Sequence, residues 1–263
     1  MRGCSDPGRG DELRQLLTGT FNISEEAFWI RKDQPAPPAG IRRFRHRLNR
    51  WLRGEPLAYL LGYRYFYDRR FTVTPRVLIP RPETELLIRS VIRAHRPGEP
   101  ILELGSGCGN IAITLALETG CPVTAVEKSR GALRVFRRNI RRLGARGRVI
   151  PRRGNLLTGR QGPYQAVVSN PPYIRTGELA GLPASVRDFE PRMALDGGEE
   201  GLDFIGPIIR ESPRVLGVKG RLFLEIGHDQ HHAVRRLLDQ NGYTGIRFFR
   251  DLNGHRRVVE ARR

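Results

Sequence analysis

The residues with the clearest capacity for chemistry lie where an apolar stretch meets two successive prolines. The stretch Ala166–Val168 predicts a short buried strand, and it runs into Ser169 to Tyr173, which reads Ser-Asn-Pro-Pro-Tyr. Proline lacks an N–H group and disfavours the helical region for the residue before it, so the pair ends the strand and begins an extended loop. Asn170 is therefore expected at the carboxyl end of a strand, the edge of an open α/β sheet where ligands bind.

Residues 170–173, called the corner below, could bind one kind of chemical group, a planar NH2. The side-chain carbonyl of Asn170 and the main-chain carbonyl of Pro171 can accept its two N–H bonds, while Tyr173 stacks on its flat face. A planar amide or aromatic amine is a poor nucleophile, and two fixed acceptors would orient it and favour the charge that develops as it attacks an electrophile. The alternative is an ordinary proline-rich turn after a strand.

A glycine-rich segment points to a bound nucleotide. It follows the apolar strand Ile101–Leu104, precedes a helix predicted over 111–118, and consists of Gly105, Ser106, Gly107, Cys108 and Gly109. Glycines between a strand and a helix let main-chain N–H groups approach a ligand closely. The spacing is Gly-x-Gly-x-Gly, which differs from the Gly-x-Gly-x-x-Gly of a dinucleotide fold.

Three further residues extend this nucleoside site. Glu127 ends a second predicted strand, 122–126, where its carboxylate could accept both ribose hydroxyls; the alternative is a surface charge. A third strand, 148–151, precedes Asn155 and Leu156, which lie where an adenine ring would rest. Asn155 could bond the edge of that ring and Leu156 could cover it.

Several other elements must position these residues. Residues 1–53 predict helices, with Ser24 as a cap, and a β-hairpin turning at 68–70 leads into a proline-rich linker, 77–85. A Gly- and Pro-rich loop over 175–201 has the length typical of a lid or binding loop. Residues 246–250 and 256–261 predict a terminal hairpin.

Composition bounds the remaining possibilities. The chain has 263 residues with 39% hydrophobic and 28% charged side chains, which are globular values, and no apolar run approaches the ~20 residues of a membrane span. Its start lacks the apolar core of a signal peptide. Cys4, Cys108 and Cys121 sit in no paired spacing, and three neighbouring histidines lack cysteine or carboxylate partners. We expect a cytoplasmic protein without a disulfide framework or metal site.

The formal net charge of +19 could indicate a protein that binds nucleic acid. Only three of the 46 basic residues are lysine, a bias that GC-rich coding would produce. Residues 1–82 carry 16 basic and 8 acidic groups and the rest carry 30 and 19, so the surplus looks dispersed. These numbers favour a solvated basic surface, with proximity to RNA or the ribosome ahead of specific DNA binding.

Taken together, these motifs resemble the peptide chain release factor N(5)-glutamine methyltransferases of the HemK/PrmC type. The resemblance spans about residues 53–260, and its most specific part combines the Ile-Pro-Arg-Pro-Glu-Thr-Glu linker, 79–85, with the Asn-Pro-Pro-Tyr corner. The other matching pieces are Gly54-Glu55-Pro56, Glu103 to Gly109, Ala194 to Gly198, Leu224 to Gly227, Asp251-Leu252 and Arg257 to Val259.

The resemblance implies an α/β fold: a seven-stranded, Rossmann-like methyltransferase sheet with its last strand antiparallel. It implies a helical N-terminal docking domain over 1–54, a β-hairpin linker over 55–82 and the methyltransferase domain over 83–263. S-adenosylmethionine would be bound by the glycine segment, Glu127, Asn155, Leu156 and Asn170. The glutamine of a release factor's Gly-Gly-Gln loop would be held by Asn170, Pro171, Pro172 and Tyr173, in a protein expected to act as a monomer without a metal.

The resemblance implies direct methyl transfer, and other substrates stay open at this stage. A glutamine of a ribosomal protein fits the same corner, and so does the exocyclic amine of adenine in DNA or RNA. An enzyme acting on DNA normally has an added target-recognition segment, whereas the extra domain here is short and helical. A ribosome- or RNA-binding protein with a degenerate core is the rival outside the enzymes, and the intact glycine segment, Glu127 and Asn170 argue against it.

Overall fold

The computed structural model describes residues 7–263, and Cys4 and the start of the predicted helical domain lie outside that range. Helices form where the sequence analysis predicts them: Ser24 caps one by accepting a hydrogen bond from the Ala27 N–H at 3.1 Å. Pro38 takes the first position of another, where its missing N–H costs nothing. The N-terminal helices are α1 (Pro7–Phe21), α2 (Glu25–Arg31), α3 (Pro38–Leu52) and α4 (Leu57–Leu61).

The hairpin pairs β1 (Tyr63–Phe66) with β2 (Arg69–Thr72), so its turn lies at Tyr67-Asp68 and not at 68–70 as predicted. Both turn residues have positive φ, 49° and 57°, as a two-residue type I′ turn requires. The predicted turn was wrong because Arg69 pairs with Phe66 within the ladder. A two-residue turn of this type matches the twist of the flanking strands, and that fit outweighs the preference of these positions for glycine.

The central sheet has seven strands. Its order is β5-β4-β3-β6-β7-β9-β8; β3 to β7 run parallel, and the last strand, β9, is antiparallel to both of its neighbours. This confirms the predicted fold. The strands are β3 (Ile101–Leu104), β4 (Val123–Glu127), β5 (Val149–Arg153), β6 (Tyr164–Ser169), β7 (Leu216–Glu225), β8 (Thr244–Arg250) and β9 (Arg256–Arg262).

Helices cover both faces of the sheet, and the alternation of strand side chains explains how. Ile101 faces one apolar cluster and Leu102 the other, because successive strand residues point to opposite faces. The first cluster packs α5, α6 and α7 on the sheet, and the second packs α9 and α10. These helices and the short α8 are α5 (Thr84–Ala94), α6 (Asn110–Thr119), α7 (Arg130–Arg142), α8 (Ala184–Arg187), α9 (Ile205–Glu211) and α10 (His231–Gln240).

One buried asparagine fixes the hairpin to the seven-stranded sheet. Asn139 of α7 is fully buried; its Oδ1 accepts the Thr72 N–H at 2.8 Å, and its Nδ2 donates to the carbonyls of Thr72 at 3.0 Å and Cys108 at 2.9 Å. All of these groups would be costly to bury unpaired. The hairpin and the glycine segment therefore have fixed positions relative to each other.

The segment 175–201 is more ordered than a plain loop. It contains two 3₁₀ turns, 176–181 and 192–194, with α8 between them. The buried carboxylate of Glu190 accepts the Ile79 N–H at 3.1 Å and pairs with Arg81. The segment is thus attached to the proline-rich linker, and both border the same cleft.

Candidate active site

A cleft of about 450 Å³ opens at the carboxyl edge of the sheet. The chain moves outward from β3 to β4 and β5 and then crosses back to β6, so this edge is a topological switch point, where α/β folds bind ligands. The linker residues 76–78 and several residues of 191–198 border the cleft. The predicted site residues that line it are Gly105, Gly107, Glu127, Asn155, Leu156, Asn170, Pro171 and Pro172.

Glu127 is held rigidly at the end of β4. Its Oε2 accepts the Gly107 N–H at 2.8 Å and its Oε1 accepts the Ser129 N–H at 2.7 Å. Burial raises the pKa of Glu127, and the backbone N–H groups of Ser129 and Gly107 oppose that rise. A carboxylate has about four lone-pair sites, so each oxygen keeps one for a hydroxyl group from the cleft. A nucleoside diol fits this arrangement.

The glycine segment brings main chain, not side chains, to the cleft. A Cβ on Gly105 or Gly107 would meet no atom within 4 Å, whereas one on Gly109 would lie 2.0 Å from the Phe136 ring. Ser106 donates its hydroxyl to the Val126 carbonyl at 3.1 Å. Cys108 is buried in the first apolar cluster. Gly105 and Gly107 border the cleft, while the side chains of Ser106 and Cys108 support the segment from behind.

Asn155 and Leu156 lie beside the cleft after β5. Leu156 has φ +46°, a conformation uncommon for a residue other than glycine. It also packs against the second apolar cluster. The unusual backbone therefore places an aliphatic side chain between the core and the cleft, where the sequence predicts the cover of an adenine ring.

Asn170 has a fixed amide orientation. Its Nδ2 donates to the hydroxyl of Thr84 at 3.1 Å, and Thr84 is buried at the first position of α5. Because the amide nitrogen is engaged there, the carbonyl Oδ1 is the group left to accept a hydrogen bond in the cleft. Pro171 also lines the cleft. Its main-chain carbonyl as the second acceptor stays a prediction.

Tyr173 is placed differently from the other corner residues. It does not line the cleft as Asn170 does; its ring packs against the second apolar cluster and its hydroxyl lies 3.5 Å from Oε1 of Glu225. Burial, followed by the nearby charge of Glu225, raises the pKa of Tyr173. Its main-chain carbonyl accepts the side-chain amide of Gln230 at 3.0 Å. Stacking on a bound amide stays a prediction.

Two buried carboxyl groups next to this site were missed by the sequence analysis. Burial raises the pKa of Glu225 to about 7, and hydrogen bonding with Thr84 and the charge of Arg257 oppose that rise. Burial and the charge of Glu127 raise the pKa of Glu103 to about 8. A signal was present in the sequence, because Glu103 interrupts the apolar strand Ile101–Leu104 and Glu225 directly follows the apolar residues 222–224.

Two general features bear on the kind of site. Across residues 7–263 no group of three or more His, Cys, Asp or Glu side chains could hold a metal ion. Within the same residues, no helix combines the length and apolar character needed to cross a membrane.

The chain matches the descriptions of two known protein families. The description "Methyltransferase small domain" matches residues 82–182, and "PrmC N-terminal domain" matches residues 5–62. A solved methyltransferase from Pyrococcus furiosus superposes with a TM-score of 0.59 at 20% identity, covering 82% of this chain and 98% of that one. The fold is that of a methyltransferase.

Proteins of similar sequence identify the family within the methyltransferases. A release factor glutamine methyltransferase from Neisseria gonorrhoeae is 42% identical, covering 94% of this chain and 91% of its own length. Another with that name, from Geobacter sulfurreducens, is 36% identical over 95% of this chain and 88% of its own length. The chain belongs to the release factor glutamine methyltransferase family, which confirms the resemblance drawn from its motifs.

Proposed function

We propose that this enzyme transfers a methyl group from S-adenosylmethionine to the side-chain amide nitrogen of the glutamine in a release factor's Gly-Gly-Gln motif. The observation that carries the proposal is the fixed corner at the end of β6. There the Nδ2 of Asn170 is occupied by Thr84, which leaves Oδ1 of Asn170 and the carbonyl of Pro171 as acceptors for an NH2 group. Family membership supports the same substrate.

The cofactor would occupy the cleft on the glycine side. Gly105 and Gly107 would approach its methionine part with main chain, Glu127 would accept the ribose hydroxyls, and Asn155 and Leu156 would hold the adenine. The N–H bonds that Glu127 already accepts keep its carboxylate in place before the ligand arrives. S-adenosylmethionine supplies an electrophilic methyl group on a sulfonium, so no metal and no covalent enzyme intermediate are required.

The protein's contribution to the reaction is orientation. Oδ1 of Asn170 and the Pro171 carbonyl would each accept one N–H of the glutamine amide, Pro172 would shape the wall, and Tyr173 would pack on the amide plane. Acceptors on both N–H bonds favour the positive charge that grows on the attacking nitrogen. The methylated nitrogen is acidic enough to lose its extra proton to water, so no side chain is assigned as a general base.

The rest of the chain would present the protein substrate to this corner. We propose that residues 1–54 form the docking domain, 55–82 the linker and 83–263 the methyltransferase domain. The buried Glu190, which holds the linker against the segment 175–201, supports a fixed mouth for the cleft. We further propose that the enzyme works as a monomer in the cytoplasm, where release factors act.

The decisive assay uses S-adenosylmethionine with a radiolabelled methyl group. The substrates are a purified release factor, its Gln→Ala variant in the Gly-Gly-Gln loop, ribosomal proteins and duplex DNA. Label on the wild-type factor alone is the expected result. Label on the Gln→Ala variant, on a ribosomal protein or on DNA would show that the substrate is wrong.

Replacing Glu127 with glutamine is expected to weaken S-adenosylmethionine binding at least tenfold. The change keeps the size of the side chain but removes its charge and one acceptor, and a hydrogen bond to a charged group is worth about 1.5–3 kcal/mol. Titration calorimetry with the cofactor measures the effect. Glu178→Gln, at an exposed carboxylate, is the matched control. Unchanged affinity in Glu127→Gln would exclude the ribose contact.

A further inference from the structure

The positive charge of residues 83–263 is concentrated in one segment. Residues 128–163 contain 12 of the 46 basic residues and none of the 27 acidic ones. The remainder of 83–263 carries 18 basic and 19 acidic groups, from totals of 30 and 19, so its net charge is −1. A comparison of residues 1–82 with the rest of the chain averages this segment with its nearly neutral surroundings, so the surplus of basic residues looks dispersed. A coding bias explains arginine in place of lysine, but it does not explain 36 residues without a carboxylate.

The fold brings most of this segment to one surface. Helix α7 buries an apolar face that includes Leu133, Phe136 and Ile140, so its arginines are left on the solvent side. β5 is the edge strand of the sheet beside it, with Arg152 and Arg153 exposed. The edge strand and the outer face of α7 therefore form one continuous basic face.

Two adjoining hollows run along this face and share Arg137 and Pro151. The larger, of about 530 Å³, continues to Tyr164, and the smaller measures about 280 Å³. No acidic residue lines either of them. We call this feature the arginine trough, and its arginines are Arg137, Arg141, Arg146, Arg152, Arg153 and Arg160.

The trough lacks internal partners for its charge. In the part of the chain that the structure describes, none of its six arginines forms an ion pair with a carboxylate. The Nε of Arg160 is buried without a hydrogen-bond partner. Like charges held together repel. A polyanion bound from outside would offset this repulsion.

We propose that the arginine trough binds the phosphate backbone of RNA. The planar guanidinium fork donates two parallel hydrogen bonds to a phosphate, and arginine is the residue best suited to that contact. Besides its arginines, the larger hollow is lined mainly by small or polar residues such as Thr124 and Gln161, and it lacks the aliphatic and aromatic cluster on which protein interfaces depend. The choice of RNA over DNA rests on the proposed function, since a release factor works on a particle made largely of RNA.

The test compares two variants of equal charge. The trough variant replaces Arg137, Arg141, Arg152 and Arg153 with glutamine. The control replaces four exposed arginines outside the trough with glutamine: Arg89, Arg93, Arg235 and Arg236. Binding to a fluorescein-labelled 20-nucleotide RNA is followed by anisotropy between 50 and 300 mM KCl. These conditions separate a local phosphate site from the effect of overall charge.

We expect the trough variant to lose at least 30-fold in RNA affinity and the control to stay within about threefold of the wild type. Each phosphate neutralised on a single strand contributes about −0.7 to the slope of log K against log salt. The slope of the trough variant should therefore be shallower by about 3. Equal losses in both variants would overturn the proposal, and so would competition by polyglutamate or duplex DNA that matches RNA.

Release-factor methylation by the two variants, assayed without RNA, completes the test. The trough variant should keep kcat and KM for the release factor within about twofold of the wild type. A raised KM confined to this variant would show that the trough docks the protein substrate, and the RNA proposal would fall. RNA binding is read without methyl transfer, so a wrong substrate in the proposed function would leave this result unaffected.

Discussion

Replacing Asn170 with alanine is expected to lower kcat for release-factor methylation by about 100-fold or more, with S-adenosylmethionine affinity changed less than threefold. Oδ1 of Asn170 is one of two acceptors that would hold the glutamine NH2 for attack. Losing an acceptor that orients the nucleophile and stabilises its developing charge typically costs two orders of magnitude or more in rate. The cofactor contacts proposed for Glu127 and the glycine segment come from other strands, β4 and β3, and would remain.

Single-turnover kinetics with radiolabelled cofactor gives the rate, and calorimetry gives cofactor affinity. Asn241→Ala is the matched control, because Asn241 follows α10 and its side-chain amide donates to the Leu237 carbonyl at 2.8 Å. It should leave both quantities unchanged. If Asn170→Ala reduced rate and cofactor affinity by the same factor, Asn170 would belong to the cofactor site and not to the substrate corner.

The predicted site residues share one property: each lies at or after the carboxyl end of a parallel strand. Short apolar runs such as Ile101–Leu104 are readable as strands because both faces of a parallel sheet are covered. The residue that follows such a run is then placed at the binding edge by topology alone. Glu127 and Asn170 could be found in this way, and the structure places both in one cleft.

What the sequence did not reveal depends on contacts between distant segments. Thr84 bonds Asn170 across 86 positions, and its role is visible only once α5 lies against the end of β6. The unpartnered arginines belong to α7, β5 and the loop after it, which become one surface only in the folded chain. The side chains of Ser106 and Cys108 could have pointed either way, because glycines on both sides leave the direction of a loop residue undetermined.

The Thr84 hydroxyl behind the corner leads to the second large effect. It accepts a hydrogen bond from Nδ2 of Asn170, and Glu225 lies near it with an Oε2 that has no hydrogen-bond partner in residues 7–263. An ionised Glu225 would accept a hydrogen bond from the Thr84 hydroxyl and so keep the lone pairs of that oxygen turned toward Asn170. A protonated Glu225 can itself donate to Thr84, which would turn the hydroxyl proton toward Asn170 and disturb its amide.

Activity should therefore rise with pH as Glu225 ionises, with an apparent pKa of about 7. Neither the glutamine amide nor the sulfonium titrates in this range, but the α-amino group of the cofactor and Glu103 do, so the assignment to Glu225 depends on the variants. We expect kcat to increase about tenfold from pH 6 to pH 8.5, the effect of roughly one hydrogen bond. Glu225→Gln should give a flat profile, and Thr84→Val a flat profile about tenfold lower. Thr84→Ser, which keeps the hydroxyl, should restore the wild-type shape.

Stability should change in the opposite direction, and mostly at lower pH, between the unfolded and the folded pKa of Glu225. The carboxyl group of an unfolded chain loses its proton near pH 4.3, whereas folded Glu225 keeps it until about pH 7. The folded state thus binds more protons between these values, so the free energy of unfolding falls as pH rises through them. Glu225→Gln should reduce this fall in denaturant titrations. Thr114→Val, at a buried threonine whose hydroxyl has no partner in residues 7–263, is the control and should alter neither the pH profile of kcat nor that of stability.

A wild-type kcat independent of pH would contradict the activity prediction. It would show that the ionisation of Glu225 does not set the orientation of Asn170.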